Sequence, residues 1–254
     1  MEVKSKQLFN KLASVMIFFW IIKIVSATVG EASADYLHHH FGIISFILVF
    51  IALIPLIAVQ IRFKKSVPWM YWLVMILVAI LGTMCADRLH HAGLPLEITT
   101  SLFIVALLIM LGVWYVSEKT LDVHKIHNTK CEILYWIAIL FTFSIGTASG
   151  DLLASGLNLG LLKATLVFGV VLAIIPSILY LCNLNRIALF WIATVLTRPF
   201  GASGADLIGK PVAEGGFGLG VGSTSILFLI IIIALIGYLT VTHKKQMLHE
   251  ELAD

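Results

Sequence analysis

Four aspartates recur at one address in this chain, each fifteen residues after a tryptophan and five after a glycine. The sets are Trp20, Gly30, Asp35; Trp72, Gly82, Asp87; Trp136, Gly146, Asp151; and Trp191, Gly201, Asp206. Four carboxylates held at matched positions would attract or coordinate a cation, as rings of acidic side chains do in cation-selective pores. The alternatives are that each aspartate caps a following short turn by accepting backbone N–H bonds, or forms a salt bridge to Arg88, Arg198 or Lys210. Three further ionisable residues lie in the same apolar segments: Lys23, Glu31 and Arg198. Glu31 follows its glycine directly, and Thr83, Thr147 and Ala202 hold that position in the other copies.

On a helix drawn with glycine at 0°, tryptophan falls near ~80°, the residue after glycine near ~100° and aspartate near ~140°. Lys23 falls near ~20° and Arg198 near ~60°, so all the ionisable groups share one sector about 120° wide. Charged side chains are costly in lipid, so such a sector faces a polar interior or other charges. Lys23 and Arg198 have two readings: neutralisation of Glu31 and a neighbouring aspartate in buried pairs, or a tethered countercharge that moves when a substrate or proton binds. A second face of small residues, Ser33/Ala34, Cys85/Ala86, Ser149/Gly150 and Gly204/Ala205, suits close helix packing.

Histidines follow two of the aspartates: His38, His39 and His40 after Asp35, and His90 and His91 after Asp87. With those carboxylates they make a candidate ligand set for a divalent metal. The alternative is solvated histidine at an interface, since the other two copies lack them.

The elements that must carry these residues follow from composition. The chain is 60% hydrophobic and 12% charged, with mean hydropathy +1.02, about half the charge of a soluble domain. Apolar stretches predict eight spans, at 14–37, 42–61, 68–89, 97–116, 132–153, 160–181, 186–206 and 223–242, each long enough for a hydrocarbon core of roughly 30 Å. Lys4, Lys6, Lys11, Arg62, Lys64, Lys65, Lys119, Lys125, Lys130, Arg186, Lys244 and Lys245 fall on one side, and Arg88, Lys163 and Lys210 on the other. That asymmetry predicts cytoplasmic termini. Ala32-Ser33-Ala34 resembles a signal-peptide cleavage site, but the same pattern recurs three times further on. No basic patch interleaved with aromatics points to nucleic acid. Cys85, Cys131 and Cys182 have no spacing that suggests a pair.

The segments WIIKIVSATVGEASADYL, WLVMILVAILGTMCADRL, WIAILFTFSIGTASGDLL and WIATVLTRPFGASGADLI align without a gap. They divide one membrane domain, 1–254, into repeats at 14–62, 67–117, 131–182 and 186–243. This pattern resembles a bacterial membrane protein family of four tandem two-span repeats of unknown function, with a characteristic tryptophan in each. The resemblance implies an integral protein of the bacterial cytoplasmic membrane and brings no settled activity. Two spans per repeat make the repeats parallel, so the expected fold is all-α, with odd spans inside, even spans outside and a pseudo-fourfold or 2+2 arrangement.

The leading functional expectation is a transporter or channel-like permease for a small cation, with a divalent metal as the candidate ion, in a lipid bilayer, with no resident cofactor. Its polar interior would hold Lys23, Glu31, Asp35, Thr83, Asp87, Thr147, Asp151, Arg198 and Asp206, and the tryptophans and glycines would pack the repeats. Two alternatives remain. One is a structural or partner-binding membrane protein. The other is an intramembrane hydrolase using Asp and His, which four equivalent copies disfavour because catalysis needs distinct acid and base environments.

Overall fold

The computed structural model describes the backbone of residues 2–62, 68–126, 128–182 and 185–251, and the side chains within 18–241 of these apart from 239. Lys64 and Lys65, and the side chains of Lys4, Lys6, Lys11, Lys244 and Lys245, lie outside the described residues. Among the described residues the chain is helical throughout, with no strand. The long helices are α1 (Glu2–Phe41), α2 (Ile43–Arg62), α3 (Pro68–His91), α4 (Leu96–Glu118), α5 (Thr129–Asp151), α6 (Leu161–Leu181), α7 (Arg186–Gly209) and α8 (Val221–Glu251).

Seven of these, α2 to α8, contain a stretch long and apolar enough to cross a membrane. The described part of α1, from residue 18 onward, holds no such stretch; the sequence predicts a span at 14–37, whose first residues lie outside those whose side chains are described. This part of α1 carries Lys23, Glu31, Asp35 and His38 to His40; neighbouring helices bury Lys23 and Glu31, whose charge would otherwise be costly in lipid, whereas the three histidines at its end are exposed.

The odd helices form the inside. Each packs along the next, α1 on α3, α3 on α5 and α5 on α7, and α7 returns to α1 to close a ring. The even helices lie outside. In their apolar stretches only 17%, 22%, 11% and 17% of residues are buried in α2, α4, α6 and α8, against 72%, 72% and 50% in α3, α5 and α7. Every even helix leans mainly on the odd helix that follows it: α2 on α3, α4 on α5, α6 on α7, and α8 on α1. A single left-handed residue, Gly42, turns α1 into α2.

The repeated glycines explain the close approach within the ring. A Cβ on Gly30 would strike Ala79, one on Gly82 would strike Phe143, one on Gly146 would strike Arg198, and one on Gly201 would strike Ala27. In every case the residue struck lies three before the glycine of the neighbouring odd helix, so one contact is used four times around the ring. Bare backbone at the crossing brings the helices near enough for dispersion contacts, the main attraction available between helices in lipid.

After α7 the Gly-rich stretch folds back on the helix end. Phe217, Leu219 and Gly220 N–H groups donate to the carbonyls of Leu207, Ile208 and Gly209, supplying donors that the last turn of a helix lacks. Gly215, Gly218 and Gly220 take positive φ there, as this return path requires.

Candidate functional site: a layered axis inside the helix ring

Spacings of four organise the inner faces. Residues 23, 27, 31 and 35 of α1 correspond to 75, 79, 83 and 87 of α3, to 139, 143, 147 and 151 of α5, and to 194, 198, 202 and 206 of α7. Successive positions rise about 6 Å along a helix, so the polar sector resolves into stacked layers.

Below the first layer lies an aromatic collar. Phe19 meets Trp72 at 5.5 Å between ring centroids, Tyr71 meets Trp136 at 5.4 Å, and Phe190 meets Trp20 at 6.0 Å. Tyr135 and Trp191 are bridged by Trp114 of α4, edge-on to both. The Tyr71 and Tyr135 hydroxyls are hydrogen-bonded to each other. Trp191 donates its indole N–H to the Leu121 carbonyl at 3.1 Å.

The first layer holds Lys23, 0% exposed. Its Nζ donates to Thr194 Oγ1 at 2.7 Å and sits 4.5 Å from the centre of the Phe190 ring, 5.1 Å from Trp20 and 5.2 Å from Phe19. Arg198, in the second layer, is 1% exposed. Its guanidinium stacks 3.5 Å over Phe143, and Nη1 reaches the Lys23 carbonyl at 3.4 Å. Aromatic faces attract cations, more strongly where water is excluded. Of the two readings of Lys23 and Arg198, the buried ion pair is therefore absent: among the described residues neither cation bonds Glu31 or an aspartate.

Glu31 occupies the third layer, 4% exposed. Thr147 Oγ1 donates to Glu31 Oε2 at 2.7 Å, Thr83 Oγ1 lies 3.0 Å from the same oxygen, and the two hydroxyls are 3.0 Å apart. Three helices, α1, α3 and α5, thus meet in one triangle of oxygens. The fourth corner, on α7, is Ala202.

The aspartates make the outermost layer and lie within electrostatic reach of one another. Lys210, just beyond α7, donates to Asp206 Oδ2 at 2.7 Å. Burial alone would lower the pKa of Lys210, but Asp206, Asp151 and Asp35 together outweigh it and hold the ammonium above the usual lysine range. No described group bonds the carboxylates of Asp35, Asp87 or Asp151, so the capping reading of the aspartates is not met. Three of the four do not end their helices either, for α1 continues to Phe41, α3 to His91 and α7 to Gly209; Asp151 is the last residue of α5 and leads into a π-helical turn at Leu152–Gly156.

The histidines divide. His38 stacks on His91 at 5.7 Å, and both line an off-axis cavity of about 280 Å³ with Phe46, Asp87 and Arg88. His40 and His90 turn back onto the carbonyls of Tyr36 and Leu94, and His39 lies edge-on to His40. Among the described residues no three His, Cys, Asp or Glu side chains gather as a metal would require. The expected metal set of Asp35, His38, His39, His40, Asp87, His90 and His91 is therefore not assembled. Three of its histidines, His40, His90 and His91, spend a ring nitrogen on local backbone, where helix geometry places it.

A family model described as Repeat of Unknown Function (DUF347) matches the chain four times, over residues 18–66, 70–120, 134–183 and 189–245. The chain belongs to the DUF347 repeat family. No curated protein and no solved structure matches it. Each DUF347 repeat here contributes one buried odd helix and one exposed even helix, and each supplies one member to every layer of the axis. The aromatic residue before each DUF347 tryptophan (Phe19, Tyr71, Tyr135 and Phe190) belongs to the site although the sequence reading passed over it. Its signal was an aromatic pair at the head of every repeat.

Proposed function

We propose that this protein is a membrane permease for a small cation, working as a coupled carrier and not as an open channel. The observation that carries the reading is the buried Glu31–Thr83–Thr147 triangle, placed inward of four carboxylates and without a basic partner. Ionisable groups inside a membrane domain are costly and mark ion or substrate paths. The aspartates would collect the cation at the mouth, and Glu31 would receive it. Lys23 and Arg198 would then act as the tethered countercharge, since two fixed cations bar continuous passage of a third.

The wider setting belongs to the same proposal. Four parallel repeats stand around a pseudo-fourfold axis, both termini are cytoplasmic, and the membrane is the bacterial cytoplasmic one. The recurring glycine contact and the excess of Lys and Arg on one side support this arrangement. The test is cation and proton flux into proteoliposomes of wild type and Glu31→Gln. Loss of flux in the variant, with folding retained, is the expected outcome.

The packed collar favours a second reading, a structural membrane protein whose layers serve packing alone. Absence of flux for every cation tried with folded wild type would select it.

A further inference from the structure

We infer that the Glu31–Thr83–Thr147 triangle takes one monovalent positive charge, a proton exchanged for a sodium ion. This deepens the permease reading and rests on it for the fate of the ion.

The argument starts from charge. Glu31 is buried, and a buried carboxylate needs compensation. Its own layer provides none: the corners are Thr83, Thr147 and Ala202. On the cytoplasmic side, Lys23 is spent on Thr194 and three aromatic rings, and Arg198 on Phe143 and the Lys23 carbonyl. On the other side stand four more carboxylates, Asp35, Asp87, Asp151 and Asp206, and one lysine, Lys210, which is paired with Asp206 and shared electrostatically with the other three, while His90 and His91 face Asp151. α2 and α8 bring no charged side chain to this level, for the described part of α8 holds none and the one in α2 is Arg62 at its far end. The layer lacks one positive charge, and a proton on Glu31 supplies it in the geometry seen here.

The donor set then selects what replaces the proton. One carboxylate oxygen and two hydroxyls are hard oxygen ligands. A hydroxyl can turn from donating toward the carboxylate to offering its lone pairs to an ion. Calcium and magnesium need more oxygens, from several carboxylates or retained water. Zinc, copper and nickel favour nitrogen or sulfur donors, which this layer lacks, and manganese, which does take oxygen, favours an octahedron of six oxygens where this layer offers three. A small alkali ion matches both the single charge and the ligands.

The test uses dicyclohexylcarbodiimide, an apolar reagent that modifies protonated carboxyl groups within membranes. Wild-type protein in liposomes is labelled across a pH series, with the modified residue located by peptide mass spectrometry and Glu31→Gln as background. Labelling of Glu31 that is lost when choline is replaced by sodium, but kept with magnesium or manganese at equal ionic strength, is the expected result. Thr147→Val should keep the label and lose the sodium protection, which separates ligation from folding. Labelling indifferent to sodium, labelling blocked by the divalent ions, or no labelling of Glu31 at any pH would overturn the inference. Labelling needs no transport. Sodium protection without flux would refute the permease reading alone, and flux without sodium protection would refute only this inference.

Discussion

At the residue scale the axis is defined by what each charged group was given as a partner. Lys23 has a hydroxyl and three rings, Arg198 a ring, a carbonyl and the Met75 sulfur, and Glu31 two hydroxyls. Asp206 alone among the acids in the axial layers has a cation. Two expectations follow. Lys23→Met keeps the length of the side chain but removes the charge from the aromatic cage. The variant should fold, and proteoliposome assays should find cation flux that no longer depends on a proton gradient, where the flux of wild type does. Ala202→Ser puts an oxygen at the empty corner of the Glu31 layer, so the sodium concentration that protects Glu31 from carbodiimide should fall several-fold. No change in that concentration would show that the corner does not face the ion.

At the element scale the packing predicts its own sensitivity. A methyl group on Gly146 would lie 2.5 Å from Arg198 Cβ and 2.9 Å from its backbone carbon, and neither can move away without shifting α7. Gly146→Ala should therefore cost about 1–3 kcal/mol, the usual range for overpacking a tight contact. Gly204→Ala adds its methyl group where nothing lies within 4 Å, so its Tm should stay level or rise. Thermal unfolding in detergent compares the two directly. The same helices show how far the sequence could be read. The Trp, Gly and Asp spacing identified the inner helices and the residues on their polar sector, because both are properties of one helix at a time. Which neighbour each residue meets is a property of two helices and their offset. Hence the step from a glycine to the residue three before the next glycine was invisible beforehand. The search for partners of Lys23 also began with carboxylates, whereas the dry collar gave it aromatic faces.

For the whole molecule, the ring and the charge asymmetry give a topology that native cysteines can check. Cys182 is exposed at the end of α6, on the side of the proposed cytoplasmic termini. A membrane-impermeant maleimide should modify it in inverted vesicles and leave it untouched in intact cells; the reverse would turn the molecule over. The closure of the ring has another consequence. Because every even helix rests on the helix of the following repeat, and α8 completes the pattern on α1, the pairings in one chain are of the kind that four separate two-helix chains would make standing in a circle. Such an ancestor could be joined end to end by gene duplication without inventing an interface. Joining would also permit what identical copies forbid. A lysine or arginine inherited four times would place four cations against one another at the axis, whereas a fused chain can keep Lys23 in one quarter and Arg198 in another. The differences among the four copies, in this view, are what the fusion made affordable.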